Sequence, residues 1–200
     1  MKPFSLVASA AIAIMLASCN KPIQEQTTSL DLSNEDLVRR GKYIVTVSAC
    51  HDCHSPKVFT TEGPEPDTSR LLSGHPKNEV IPQLGPTPPG WTQFSPGLTA
   101  FRGPWGLTFA ANLTPDDTGI GNWSFDQFKV ALRKGKYKGL EGSRPLMPPM
   151  PWQMYKNFTD DDLLAVFAYL KSLKPVDNLV PTNIGIDQLQ SFMEMSQTSN

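Results

Sequence analysis

The sequence has few cysteines, little net charge and only one long apolar run. Its 200 residues include three cysteines, and 18 Lys and Arg residues nearly balance 19 Asp and Glu residues. Three cysteines cannot build the disulfide framework of a small secreted domain. The near-neutral balance, with no stripe of basic side chains, argues against a nucleic acid as partner. Neither an internal repeat nor a convincing pair of strands is evident in the sequence.

The apolar run lies at the start of the chain, from Phe4 to Ala17, and ends just before Cys19. It is short for a membrane span and is typical of the apolar region of a secretory signal. Small residues before a cysteine resemble a bacterial lipoprotein signal; an ordinary signal peptide with an incidental cysteine is the alternative. We therefore expect residues 1–18 to be a lipoprotein signal peptide and Cys19 to carry the lipid. Residues 19–32 would then tether the protein to the periplasmic side of a bacterial membrane.

Three later segments have the start and stop signals of helices. The predicted helices run from Ser33 or Asn34 to about Val47, from Ser124 to Gly135, and from Thr159 to Pro175. Residues 55–111, between the first two, are dense in proline and glycine, so long helices are not expected there. The predicted domain covers residues 33–176, and the polar tail 177–200 is expected to be weakly ordered.

The first predicted helix leads into Cys50-His51-Asp52-Cys53-His54, the pattern C-x-x-C-H. A structural zinc site needs four ligands, and His75 is the only histidine outside this cluster. A thioredoxin-like dithiol normally follows a strand in a βαβ pattern, which this sequence lacks. C-x-x-C-H is also the attachment signal of haem c, in which both thiols bind the porphyrin and the following histidine binds the iron. This interpretation is favoured, with one covalent haem c, and it leaves His51 as a surface residue.

The iron of such a haem needs a second axial ligand, and methionine sulfur is common in electron carriers. We predict Met150, because Pro149 and Pro151 fix the backbone on either side of it. Met147 in the same loop and His75, which would give a bis-histidine haem, are the alternatives. Met154 has bulky neighbours and is expected in the core.

Three segments together resemble a class I c-type cytochrome: GKYIVTVSACHDCHSP, ANLTPDDTGIGNWSFDQFKVALRKG and LMPPMPWQMYKNFTDDDLLAVFAYLKSLKPV. In particular, the chain is similar to bacterial exported cytochromes related to the haem subunits of periplasmic alcohol and aldehyde dehydrogenases. The resemblance implies an all-α fold whose first and last helices cross over one haem. It implies thioether bonds at Cys50 and Cys53, with His54 and Met150 as the iron ligands. It also implies a hydrogen bond from Trp123 to a haem propionate, with a core tryptophan as the alternative.

Two axial ligands leave the iron no open position for a substrate, unlike catalytic metal sites. We therefore expect an electron carrier and not an enzyme, with a dehydrogenase, an oxidase or another cytochrome as partner. A haem enzyme or gas sensor with a labile distal ligand is the alternative, and a structural haem is a third. The single C-x-x-C-H and the proline-rich insert at 57–105 differ from the multihaem dehydrogenase relatives and from the smallest cytochromes.

Overall fold

The structure is a computed structural model that describes residues 33–81, 88, 90–189 and 191–192. The predicted signal peptide, Cys19 and the predicted tether lie outside the described residues, as does the end of the predicted tail. The described residues all belong to one compact unit. Within them, no helix combines the length and apolar character needed to cross a membrane.

Among the described residues, the three helices predicted from the sequence are confirmed, and two short helices accompany them. Their bounds are α1 Asn34–Val47, α2 Cys50–His54, α3 Phe125–Lys134, α4 Trp152–Tyr155 and α5 Asp160–Ser172. Each long helix begins with a side-chain N-cap, because the hydroxyls of Ser33, Ser124 and Thr159 accept a backbone N–H at 3.1–3.2 Å. These bonds satisfy donors that the first turn of a helix leaves unpaired.

Helices α1 and α5 pack closely against each other and form most of the main core. Gly41 lies at the contact, where an added Cβ would overlap the carbonyl of Ala165. The guanidinium of Arg40 binds the Asp162 carboxylate, with Nε donating at 2.9 Å. Val45 and Leu163 are fully buried between the helices. The sequence therefore brings its first and last long helices together, next to the C-x-x-C-H turn that follows α1.

The prediction of an all-α fold is wrong, because two small antiparallel sheets fill the region between α2 and α3. One pairs β1 Lys57–Thr60 with β2 Gly63–Pro66, and the other has the order β3 Gln93–Phe94, β4 Ala100–Gly103, β5 Gly106–Phe109. The strands have two to four residues, and β5 is buried at every position. Such strands show no alternation of polar and apolar residues, which is the usual signal of a strand.

A second, smaller core lies beneath the three-stranded sheet. Leu107 and Phe109 pack there with Leu189, and Leu107 exchanges backbone hydrogen bonds with Ile184 at 2.8 and 2.9 Å. We call residues 176–184 the C-terminal strap, since they run from the end of the α5 region to this pairing. The polar sequence of the predicted tail does not signal these contacts.

Candidate functional site

A cavity of about 580 Å³ lies among α1, α3, α5, the three-stranded sheet and the strap. All five of the predicted cofactor residues line it: Cys50, Cys53, His54, Trp123 and Met150. The volume is in the range of pockets that hold small molecules and cofactors. The structure thus brings together residues that are up to 100 positions apart in the sequence.

The C-x-x-C-H turn begins where the chain reverses direction after α1. Ala49 adopts a left-handed conformation, with φ of 57°, and α2 follows at once. The ammonium group of Lys57 closes the other end of the turn by donating to the carbonyls of His51, Asp52 and Ser55 at 2.9, 2.9 and 2.6 Å. A cation at carbonyls that a helix end leaves unpaired is a favourable arrangement. Lys57 therefore stabilises the turn that carries both thiols.

The imidazole of His54 is oriented by the chain opposite it. Its Nδ1 lies 2.7 Å from the carbonyl oxygen of Ala111, an acceptor that requires the hydrogen to be on Nδ1. Burial lowers the pKa of His54, so the ring is neutral near pH 7. Nε2 then keeps its lone pair, as in histidines that bind metals and donate their other nitrogen to a carbonyl.

The two thiols are not those of a reactive redox pair. Burial raises the pKa of Cys50 to about 11 and also raises that of Cys53. A reactive dithiol instead needs a lowered pKa, because the thiolate is the nucleophile. Among the described residues, no group of three His, Cys, Asp or Glu side chains could hold a metal ion such as zinc. The donor set, two thiols beside one neutral imidazole in a large cavity, fits a covalently attached haem.

The loop that carries Met150 is held by hydrogen bonds at two positions. The Leu146 amide donates to the carbonyl of Gly135 at 2.6 Å, and the Thr108 hydroxyl donates to that of Pro148 at 3.0 Å. Met147, the alternative ligand, also lines the cavity. The hydroxyl of Tyr155, just beyond the loop, donates to the Ser48 carbonyl at 2.6 Å. This bond links the loop region to the start of the C-x-x-C-H turn, which we call the attachment turn after its predicted role.

Other predicted residues lie elsewhere. Met154 is 65% exposed, so its predicted core position is wrong. His75 is fully buried outside the lining, with Nδ1 2.9 Å from the Thr99 hydroxyl. His51, expected on the surface, is half-buried, and its Nδ1 lies 2.9 Å from the hydroxyl of Ser55. Trp123 lines the cavity and also packs against the main core, and its hydrogen bond to a propionate stays a prediction.

Several lining residues were not identified from the sequence. They comprise part of the three-stranded sheet, the loop after α3 and the middle of the strap: Phe101, Thr108, Phe109, Tyr137, Lys138, Arg144 and residues 179–183. No motif marks them, since they reach the cavity only through the fold of the segment between α2 and α3, of the loop after α3 and of the strap. The density of aromatic residues in the insert was the one available signal.

Comparison with known proteins shows which cytochrome subunits the chain resembles in sequence. The cytochrome c subunit of gluconate 2-dehydrogenase from Pantoea cypripedii is 31% identical over 140 residues, or 70% of this chain. The cytochrome c subunit of alcohol dehydrogenase (quinone) from Gluconobacter oxydans is 30% identical over 146 residues, or 72% of this chain. The chain is a relative of dehydrogenase cytochrome c subunits. The predicted resemblance is thereby confirmed.

These cytochrome c subunits are much longer than this chain. The fructose dehydrogenase cytochrome subunit from Gluconobacter japonicus is 28% identical over 178 residues, which are 88% of this chain and 29% of the relative. The chain spans about a quarter of the length of these cytochrome subunits. No protein-family model matches the chain. The names of these relatives imply haem c. The names do not state how many haems are bound or how they are attached.

Proposed function

We propose that this chain is a carrier of single electrons with one covalent haem c. In this proposal Cys50 and Cys53 form the thioether bonds, His54 is the proximal ligand and Met150 the distal ligand. The observation that carries the proposal is the convergence of these four side chains on one cavity of about 580 Å³. The names of the relatives support the same class of protein. When bound, the haem supplies a one-electron Fe(III)/Fe(II) couple.

The chain's own residues would tune that couple in two ways. Hydrogen bonds orient His54 and the methionine loop, so these residues would hold the iron in a fixed arrangement. Phe101 and Phe109 are buried and belong to the apolar part of the cavity wall. A dry site disfavours the extra positive charge of the oxidised iron, and methionine ligation favours reduction as well.

The test uses holoprotein from a host that attaches haem c. We expect a pyridine spectrum of haem c, thiols that resist alkylation, and a sulfur-to-iron band in the oxidised protein. Met150→Ala should lose this band while keeping the haem, whereas the matched variant Met147→Ala should retain it. Loss of the band in Met147→Ala alone would transfer the distal role to Met147. Colourless protein with two alkylatable thiols would refute the whole proposal.

The same samples distinguish an electron carrier from the alternative function, a gas sensor or haem enzyme. A ferrous haem held by both His54 and Met150 should bind carbon monoxide slowly at neutral pH. Met150→Ala, which frees a coordination position, should bind it promptly. Prompt binding by the wild-type protein would instead indicate a gas sensor or a haem enzyme with a labile distal ligand.

We further propose that Cys19 is lipidated after removal of residues 1–18 and that the domain faces the periplasm. A dehydrogenase, an oxidase or another cytochrome would be its redox partner. The support is the sequence alone, in which an apolar run ends at a cysteine. Wild-type protein should fractionate with membranes and Cys19→Ala should be soluble in the periplasm. Equal distribution of the two would contradict the anchor and leave the haem assignment unaffected.

A further inference from the structure

A cluster of three residues in the loop after α3 forms a charged part of the otherwise largely apolar cavity wall. Tyr137, Lys138 and Arg144 all line the cavity. The guanidinium carbon of Arg144 lies 3.9 Å from the centre of the Tyr137 ring, and the Lys138 ammonium lies 5.7 Å from it. Contacts of this kind orient a cation over an aromatic face. We call these three residues the cationic cluster.

The two cations of this cluster have no acidic partner in the described part of the chain. The ion pairs present there use other basic residues, including Lys134, which binds Glu141 on the same loop. Asp117 is the one acidic side chain among the described lining residues, and it accepts a hydrogen bond from Asn122. Arg144 donates once, to the carbonyl of Pro145 at 2.9 Å. A guanidinium has five N–H donors, so it retains donors for an anion.

The backbone beneath the cluster is held in an unusual conformation. Lys138 has a left-handed φ of 54°, which costs energy for a residue with a side chain. The Gln127 amide donates to the Lys138 carbonyl at 2.8 Å, and Gly139 fits against the Gln127 carbonyl, where an added Cβ would overlap it. Gln127 lies in the first turn of α3, one turn after Trp123. The strained loop is therefore fastened to the end of α3 at which Trp123 enters the cavity.

We propose that Lys138 and Arg144 form the carboxylate-binding end of the cavity and hold the two propionates of the haem. The inference rests on the proposed function and deepens it, since it adds residues that recognise one edge of the cofactor. The propionates are the only anionic substituents of a haem, and two cations without an acidic partner at the cavity wall, Lys138 exposed and Arg144 half-buried, are suited to two carboxylates. The attachment turn would then bind the opposite edge through Cys50 and Cys53. Placed in this way, the two cations favour the reduced iron.

The test measures the ratio of reduced to oxidised haem in holoprotein variants poised at the wild-type midpoint potential. Arg144→Gln should lower this ratio about three- to tenfold, because removing a nearby cation favours the more positive oxidised centre. Lys138→Gln should lower it in the same direction. The matched control Lys134→Gln removes the same charge from the last residue of α3, next to the loop but outside the cavity wall, and it should change the ratio less than twofold. Arg144→Lys keeps the charge and should recover most of the wild-type ratio.

A second readout is the redox-induced infrared difference spectrum with ¹³C-labelled propionates. The labelled carboxylate bands should shift in Arg144→Gln and stay unchanged in Lys134→Gln. A ratio and bands in Arg144→Gln that match the Lys134→Gln control would overturn the inference. Equal losses in Arg144→Lys and Arg144→Gln, with unshifted bands, would show a packing role and overturn it too.

The outcomes separate this inference from the proposed function. An intact sulfur-to-iron band in Arg144→Gln, together with an unchanged ratio and unchanged bands, rejects the carboxylate site and leaves the axial ligands standing. The reverse result is also possible. A lowered ratio and shifted bands in Arg144→Gln would support the carboxylate site, whereas a retained sulfur-to-iron band in Met150→Ala would reject Met150 as ligand.

Discussion

His75 is a histidine enclosed entirely by the protein. Its ring packs against Phe109 with centres 4.8 Å apart, and Nδ1 lies 2.9 Å from the Thr99 hydroxyl. Nε2 has no hydrogen-bond partner among the described residues. Burial lowers the pKa of His75 to about 4, well below its ordinary value. Protonation of this one side chain therefore couples the stability of the domain to pH.

The unfolded chain gains a proton at this histidine near pH 6.5, whereas the native protein gains it only near pH 4. A lowered histidine pKa means that stability falls as the pH decreases through this window and is constant above it. His75→Gln should remove this dependence, which amounts to as much as about 3 kcal/mol in unfolding free energy. Urea unfolding of the holoprotein between pH 4.5 and 7.5 measures it.

His51→Gln is the matched control, because its half-buried ring has a pKa lowered first by burial and then by Lys57. It should leave most of the pH dependence in place. Parallel stability curves for the wild-type protein and His75→Gln would mean that another group titrates in this window.

At the scale of single elements, the long helices were predictable because their signals are local. A hydroxyl at the cap, acids in the first turn and glycine or proline after the end lie within a few residues of each other. The C-x-x-C-H pattern that marks the attachment turn is local as well. The three-stranded sheet and the position of Arg144 in the cavity wall were not predictable, because short strands lack the alternation signal and the cavity forms between distant segments. Phe101, for example, becomes a cavity wall only when β4 pairs with β5 beside the methionine loop. The role of Lys57 was missed although its partners are only two to six residues away, because no motif marks a lysine that binds the carbonyls of a turn.

Lys57 shows how one side chain that follows the attachment turn stabilises it. Lys57→Met keeps the aliphatic stem but removes three hydrogen bonds to carbonyls of the attachment turn. Since hydrogen bonds to a charged group are among the stronger ones, we expect a loss of about 1–3 kcal/mol in unfolding free energy. Urea unfolding of the holoprotein, followed through the haem absorbance, measures the loss. Lys42→Met, at an exposed position of α1, should change stability by less than about 0.5 kcal/mol. Equal midpoints for the two variants would show that Lys57 does not support the turn.

At the scale of the whole molecule, the strap joins the two hydrophobic cores through buried polar contacts. The Asn178 amide donates to the carbonyls of Ser73 and His75 at 2.6 and 2.9 Å, and its oxygen accepts from the Lys77 amide at 2.8 Å. Beyond it, residues 179–183 cross the cavity wall and lead to the pairing of Ile184 with Leu107. Asn178 is therefore one of several buried or half-buried residues, with Asn112 and Thr118, that hold the segment between α5, the cavity and the second core.

Asn178→Ala should release the strap, because it leaves two buried carbonyls and one amide without their partner. Each such loss costs about 1–3 kcal/mol before relaxation, so we expect about 2–4 kcal/mol in unfolding free energy. Asn178→Asp keeps the acceptor for Lys77 but sets a carboxylate oxygen against the two carbonyls, and it should be at least as damaging. Asn157→Ala, which removes an exposed amide, is the control.

Amide hydrogen exchange provides the local readout, since the Ile184 amide of the strap donates to the carbonyl of Leu107 in β5 at 2.9 Å. The Ile184 amide should exchange faster in Asn178→Ala than in Asn157→Ala. The same variant should also expose the cavity to solvent and thereby favour the oxidised haem, because hydration stabilises the more highly charged iron. Destabilisation without faster exchange at Ile184 would mean that Asn178 stabilises only the contacts of residues 73–77. In that case the strap would not be a wall of the cavity held in place by this side chain.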